Sequence, residues 1–268
     1  MKKFLKPAAF LVALIVAQTA QAVPANRARV DFTDAAGFIV IGNLGAACTT
    51  TDDLECFHLF GGSAFPIESK WTAANSDIVF TKSDTGFVIP NDNADDDGIE
   101  LSFGKSANGP CAFVVGTSPA FYVKATFTIP DVSDYDVAAV GFRNDGSYLD
   151  VDDPADINTT TPLYTDFALI NVNAGDFRTY TQDDDATATD TDVTTTAWLD
   201  TEAHTLMVKV SAAGAVTYFV DGTAMAGAVA FTLDSSASDI MVPILIFAKG
   251  ATAADTPPEM RLFECGLQ

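Results

Sequence analysis

The chain has 268 residues, with 14 Lys+Arg against 36 Asp+Glu and a formal net charge of −22. Nucleic acid and anionic membranes carry charge of the same sign, so this balance excludes both as direct partners. The length admits one large β domain or two small ones.

Lys2, Lys3 and Lys6 precede an apolar run from Ala8 to Ala17, and Ala20-Gln21-Ala22 offers small residues for cleavage. This is the pattern of a signal peptide over 1–22, and its apolar run is too short to span a bilayer. The mature chain is expected to start near Val23, to be secreted and to insert in no membrane. Removing the leader's three lysines takes 14 bases to 11 against 36 acids, so the charge becomes −25. Only six acids are Glu and the remaining 30 are Asp. Asp favours turns and Glu favours helices, so the acids point to loops between strands.

Cys48, Cys56, Cys111 and Cys265 predict two disulfides in an exported chain, with three pairings open. Cys48 with Cys56 is the natural local pair, and Cys111 with Cys265 then joins the middle of the chain to its last strand. Loop closure alone is worth roughly 2.6 kcal/mol for the short loop and about 5 kcal/mol for the long one. The long bridge argues for one domain over 23–268. With no CxxC spacing and only His58 and His204 as histidines, a zinc site is not expected.

From Val23 onward the pattern is strand, turn, strand, with nothing helical. Strands are expected at Phe38 to Ile41, Ile78 to Phe80, Gly86 to Ile89, Ile99 to Phe103 and Cys111 to Val115. Phe121 to Ile129 alternates most cleanly, with Phe121, Val123, Ala125, Phe127 and Ile129 on one face and Tyr122, Lys124, Thr126 and Thr128 on the other. Val137 to Phe142 and Phe167 to Val172 are continuously apolar, as strands covered on both sides are. Phe177 to Thr181 and Val193 to Trp198 flank the Asp/Thr run 182–192. Leu206, Val208 and Val210, then Val216, Tyr218 and Val220, alternate across a Gly-containing break, and Asp221-Gly222 supplies a further tight turn. That hairpin cannot bury its own apolar face and must belong to a larger sheet. Val229 to Leu233, Ile240 to Ala248 and Met260 to Cys265 complete the set, with Pro243 expected to mark a bulge or strand start. Helical crossovers are lacking, which excludes parallel α/β folds and leaves an all-β sandwich or barrel.

The segments AFYVKATFTIPD (120–131), VAAVGFRND (137–145), AHTLMVKVSAAGAVTYFVDG (203–222) and VPILIFAKGA (242–251) together resemble the concanavalin A-like (laminin-G-like) jelly-roll superfamily. The resemblance covers roughly residues 75 to 268 and implies an all-β, two-sheet antiparallel jelly-roll sandwich. The superfamily holds lectins, laminarinases and alginate lyases, so the fold leaves function open. Its glucanase branch uses closely spaced Glu residues on one strand, and none of the six Glu here stands in such a pattern. Its alginate lyases use a Gln-x-His segment, which neither His58 nor His204 supplies. A non-catalytic member is therefore expected.

Asn93, Asp95 and Asp97 place oxygen donors at positions 1, 3 and 5 of a turn with Gly98 at position 6, the first half of a calcium loop. Position 12 is Gly104, which excludes an EF-hand and leaves Glu100 as the substitute at short range. Calcium is the expected ion, against the plainer reading of a solvated Asp turn. Asp150, Asp152, Asp153 and Asp156 form a second acidic group, and Asp183, Asp184, Asp185, Asp190 and Asp192 a third; each also reads as a surface loop. Trp71, Trp198, Tyr148 and Tyr164 can stack on sugar rings where exposed. Tyr148 and Tyr164, with Asp150 and Asp152 in the same polar loop, are the expected ligand contacts. His204 is expected as a polar edge residue. The leading expectation is a secreted binding protein that presents Asp-rich, calcium-supported loops to a glycan or cell-surface partner. A self-assembling extracellular filament or coat subunit, partnered by copies of itself, is the rival, and a polysaccharide-active enzyme the third reading.

Overall fold

A computed structural model describes residues 28–31, 39–42, 68–71, 81–82, 86–88, 98–102, 111–145, 164–184, 188–193, 197–234, 240–249 and 256–268. The leader, Cys48, Cys56 and the segment Ile78 to Phe80 lie outside them. The first strands are short: β1 (Ala28–Asp31), β2 (Ile39–Gly42), β3 (Glu68–Trp71), β4 (Thr81–Lys82), β5 (Phe87–Val88), β6 (Gly98–Ser102) and β7 (Phe113–Val114). Longer ones follow as β8 (Phe121–Thr128), β9 (Tyr135–Asn144), β10 (Phe167–Asn173), β11 (Asp176–Gln182) and β12 (Thr189–Asp192). The chain closes with β13 (Ala203–Val210), β14 (Val216–Val220), β15 (Thr223–Ala224), β16 (Ile240–Lys249) and β17 (Glu259–Leu267).

Every ladder is antiparallel, and the strands divide between two sheets. One runs β15-β14-β13-β8-β17-β1-β2, with β5 bonded to β17 and β4; we call it the front sheet. The other, the back sheet, runs β12-β11-β10-β9-β16-β6-β3, with β7 bonded to β16. This is the two-sheet jelly-roll sandwich that the sequence implies.

Alternation places the interior. Phe121, Val123, Ala125 and Phe127 of β8 are fully buried, and Leu206, Val208 and Val210 of β13 stand beside them in register. Facing them from the back sheet come Phe142, Ala168, Ile170 and Leu245 in the same apolar cluster. Rings interlock across the gap: Phe113 stacks on Phe121 at 4.5 Å, Phe142 meets Phe121 edge-on at 5.0 Å, and Phe247 meets Phe127 at 5.1 Å. Each buried Phe or Val contributes about 1.5–3 kcal/mol relative to exposure.

Turn chemistry follows the sequence closely at β14–β15. Asp221 and Gly222 both take positive φ (49° and 77°), the conformation a two-residue hairpin needs to match strand twist. In the back sheet β9 and β10 approach so closely at Gly141 that a Cβ there would lie 2.1 Å from the Ala168 carbonyl oxygen, so only glycine fits.

Three expectations are corrected. Val193, Ala197 and Trp198, the described residues of the expected strand 193–198, lie in no strand; the strand is Thr189–Asp192, inside the Asp/Thr run, at the edge of the back sheet. Alternating Thr and Asp suits a solvated edge, and Asp190 gains an ion pair with Arg178 at 2.9 Å. Val229 to Leu233 makes a single bridge, Ala215 to Thr232, and no strand. No bulge marks Pro243, which pairs with Phe142 where β16 passes from β7 (paired to Ile240 and Met241) to β6 (paired from Ile244), a position that asks for no N–H on that side. The irregularity falls instead between Ala248 and Lys249.

Cys111 and Cys265 form a disulfide with 6.2 Å between their Cα atoms. Cys265 lies on β17 of the front sheet, and Cys111 lies two residues before β7 of the back sheet, so the bond ties the sheets to each other. It closes a loop of 154 residues. Replacing both cysteines by Ala should cost about 3–5 kcal/mol and lower the urea midpoint; an unchanged midpoint would show that packing alone holds the sheets together.

Candidate functional site

The outer side of the back sheet is apolar and covered. Val137 and Ala139 of β9, Leu169 of β10, Ile244 and Ile246 of β16, and Tyr164 make a second buried cluster. Into this surface β9 and β6 introduce opposite charges. Arg143 is fully buried and Glu100 is 2% exposed, and Arg143 Nε donates to Glu100 Oε1 at 2.9 Å. The second carboxylate oxygen accepts from the Tyr164 hydroxyl at 2.5 Å. Arg143 Nη1 donates to the Asn144 carbonyl at 2.7 Å, and its guanidinium lies 4.6 Å from the Tyr164 ring centre. The three side chains contact one another in a low-dielectric setting, where a paired charge is tolerated and a lone one is not.

Of the expected cation set Asn93, Asp95, Asp97 and Glu100, only Glu100 lies within the described residues, and both its oxygens are engaged inward. Of the expected ligand contacts Tyr148, Tyr164, Asp150 and Asp152, only Tyr164 does, and it is 6% exposed, turned onto Arg143 instead of solvent. Trp198 is 1% exposed and packs on Phe127, its indole N–H donating to the Glu202 carbonyl at 3.1 Å. Trp71 stands on β3 opposite Ile99. His204 stands near the start of β13, opposite Phe127 of β8 and beyond the β13–β14 ladder, which begins at Leu206. Its ring meets Trp198 at 4.6 Å, with Nδ1 2.6 Å from Asp221 Oδ2 and Nε2 3.2 Å from Glu202 Oε2.

A second arrangement gathers acids at one end of the sandwich. Asp166 precedes Phe167, and Asp183 and Asp184 follow Gln182; because Phe167 pairs with Gln182, the two loop ends lie side by side. Asp234 arrives from the front-sheet side, held by the Ala215–Thr232 bridge and by Leu233 N–H donating to the Gly214 carbonyl at 3.1 Å. Asp183 Oδ1 accepts from Asp234 N–H at 3.2 Å, and Asp166 Oδ1 from Asp184 N–H at 2.7 Å. Carboxylate oxygens of Asp183, Asp184 and Asp234 all lie within 4.8 Å of one another. Burial holds the Asp183 carboxyl above its ordinary range, the neighbouring charges of Asp234, Asp166 and Asp184 push the same way, and the Asp234 N–H opposes them. Beside this group Gln182, 1% exposed, buries an amide with neither end hydrogen-bonded. Sequence reasoning placed Asp183 and Asp184 in a loop and passed over Asp234, which only a contact across 51 positions brings to them.

A third surface is the outer side of the front sheet. Phe219, Met207 and Lys124 stand in one row across β14, β13 and β8, and Thr217, Lys209 and Tyr122 in the next. Lys209 Nζ lies 4.7 Å from the Phe219 ring centre. Glu264 of β17 continues the first row toward Arg29 of β1; it is 2% exposed, with Lys124 Nζ at 3.5 Å and the Tyr122 hydroxyl donating to its Oε1.

No protein-family model matches the chain, and no curated protein does. Among solved structures it is similar to a protein of unknown function from Shewanella oneidensis MR-1, at 14% identity and a TM-score of 0.47, over 89% of this chain and 84% of that one. It is also similar to the carbohydrate recognition domain of Emp46p in its potassium-bound form, at 8% identity and a TM-score of 0.44, over 74% of this chain and 87% of that one. An endo-1,3-beta-glucanase from Streptomyces sioyaensis is similar at 12% identity and a TM-score of 0.43, over 69% of this chain and 77% of that one. With TM-scores below 0.5, the site is read from this chain's own residues.

The buried ion pair makes a direct test of the back-sheet surface. Glu100→Leu or Arg143→Met alone should cost about 3–5 kcal/mol by leaving the partner charged and buried, and the double substitution should recover most of that loss. Additive losses in a double-mutant cycle by urea unfolding would show that the two side chains act separately.

Proposed function

We propose that this chain is an exported, non-catalytic jelly-roll binding protein that meets a glycan or cell-surface partner through Asp-bearing loops at one end of the sandwich, with calcium holding those loops. The convergence of Asp183, Asp184 and Asp234 within 4.8 Å carries the reading. Like charges this close repel, and calcium takes six to eight oxygens at 2.3–2.6 Å in flexible geometry, so three carboxylates from two loops are a fitting partial shell. Burial, with the neighbouring carboxylates adding to it, raises the proton affinity of Asp183, so the site favours either a proton or a cation. A cation there would fix the 183–184 and 234 loops relative to each other, and orientation of surface loops by a rigid scaffold is how a sandwich presents a binding surface.

The rival filament reading has less support at two of the four described edges, β12 and β15. β12 alternates Thr with Asp and β15 has two residues, and short or charged edges resist pairing with another chain.

The sign of the Asp183 shift makes the test specific. A carboxyl whose folded-state affinity for protons exceeds its unfolded one destabilises the fold when ionised, and stability returns as pH falls through its titration. In EDTA, Asp183→Asn should therefore raise the melting temperature at pH 7, and acidification toward pH ~5 should raise it in the parent more than in the variant. With an affinity of about 0.1–1 mM, several millimolar calcium should stabilise the parent by roughly 1–2 kcal/mol, or about 2–8 °C, and Asp183→Asn should lose that gain. Identical melts in calcium and EDTA would remove the cation, and a blank glycan array at high protein concentration would remove the glycan.

A further inference from the structure

We propose that the outer side of the front sheet, centred on Lys209, is a docking surface for an anionic glycan, a chain carrying carboxylate or sulfate groups. This site is distinct from the acidic loop end. The chain as a whole repels polyanions, its acids outnumbering its bases 36 to 14, so the complementarity is local to two rows of this sheet. The rows Phe219–Met207–Lys124 and Thr217–Lys209–Tyr122 contain no acid and carry two rings, a thioether and two ammonium groups, of which Lys124 is paired with Glu264 and Lys209 is the one presented outward. The carboxylate that adjoins them, Glu264, is 2% exposed beneath Lys124 and the Tyr122 hydroxyl, so its charge is answered within the sheet.

Lys209 has no carboxylate partner among the described residues; its ammonium rests instead at 4.7 Å over Phe219. An unpaired cation on a strongly acidic protein is available to an outside anion. Its place on the middle of three paired strands fixes it more firmly than a loop would. Neighbouring strands are about 4.8 Å apart and alternate side chains about 6.8 Å apart, so the two rows form a flat, shallow surface. That shape suits an extended chain lying across strands, with an anionic group on Lys209 and sugar carbons against Met207 and the rim of Phe219. The long-range field of the acids opposes approach, but at physiological salt it decays over about 8 Å, leaving contact charges in control.

The test is affinity electrophoresis of the mature chain in gels holding polygalacturonate, heparin or neutral laminarin. Retardation is expected with an anionic polymer and not with laminarin; whether polygalacturonate, heparin or both retard the protein distinguishes carboxylate from sulfate. Lys209→Glu should weaken that binding by about tenfold or more and Lys209→Arg should keep it. The binding should fade between about 0.1 and 1 M salt, as the screening length contracts from ~10 to ~3 Å. Because Lys209 forms no ion pair among the described residues, the melting curve and calcium response of Lys209→Glu should match the parent's, and Asp183→Asn should bind the anionic polymer unchanged. Equal retardation of parent and Lys209→Glu, or retardation by laminarin alone, overturns this surface while leaving a glycan binder. No retardation in any gel overturns it as well, and with a blank glycan array removes the glycan reading too.

Discussion

Every second side chain of β8 is withdrawn from water, and the rest of the sandwich is arranged by that alternation. β8 is paired on one side to β13 and on the other to β17. A slip of one residue would turn Phe121, Val123, Ala125 and Phe127 outward and bring Tyr122, Lys124 and Thr126 between the sheets. Burying Lys124 unpaired costs several kcal/mol, and exposing two phenylalanines and a valine forfeits about as much again. The register is thus fixed twice, by what must be inside and by what cannot be. Cys265, one strand over and opposite Val123, inherits that register, which is why it can reach Cys111.

The same alternation was what the sequence expressed most clearly. β8, β13 and β14 carry it without interruption, and all three lie where expected. The Asp221-Gly222 turn and the Cys111–Cys265 bridge were readable for simple reasons, a positive-φ pair and an even number of cysteines in a chain whose first residues read as a leader. Failures occurred where burial overrides composition. Trp198 ended an expected strand, yet its ring is drawn out of any ladder to fill the space beside Phe127 and Phe177. Thr189–Asp192 looked like loop because polar side chains usually are, but an edge strand needs only one bonded neighbour and tolerates water on its other side. Tyr164 looked exposed inside a polar loop; its ring lies over Arg143, and no linear pattern announces a cation awaiting an aromatic face.

Charge is sorted by structural position. Three acids on strands, Glu100, Glu264 and Asp190, each stand beside a cation, Arg143, Lys124 and Arg178. These pairs differ in worth. Arg178–Asp190 is partly exposed and contributes little in water, whereas Arg143–Glu100 is buried, where either member alone would be costly. Satisfying a buried pair does not by itself add stability relative to apolar side chains of the same volume; what it adds is a preference for one arrangement, since Glu100 has two oxygens and both are claimed, one from β9 and one from the end of the polar loop at Tyr164.

The loop acids follow another rule. Asp166, Asp183, Asp184 and Asp234 are set by strand pairing and by one bridge between distant segments, not by attraction to one another. Backbone N–H groups oriented at Asp183 and Asp166 hold those carboxylates in place against mutual repulsion. Such hydrogen bonds favour the ionised form, while burial and neighbouring charge favour the protonated one, and for Asp183 the latter prevail. The fold therefore maintains at this end a carboxylate that would be more comfortable neutral or beside a cation. Strain of this kind persists only where the surrounding structure over-determines it. Here the determinants are the Phe167–Gln182 pair on the back sheet and the Ala215–Thr232 bridge on the front one. Because the group draws on both sheets, whatever neutralises its charge acts on their joint, and not on a loop alone.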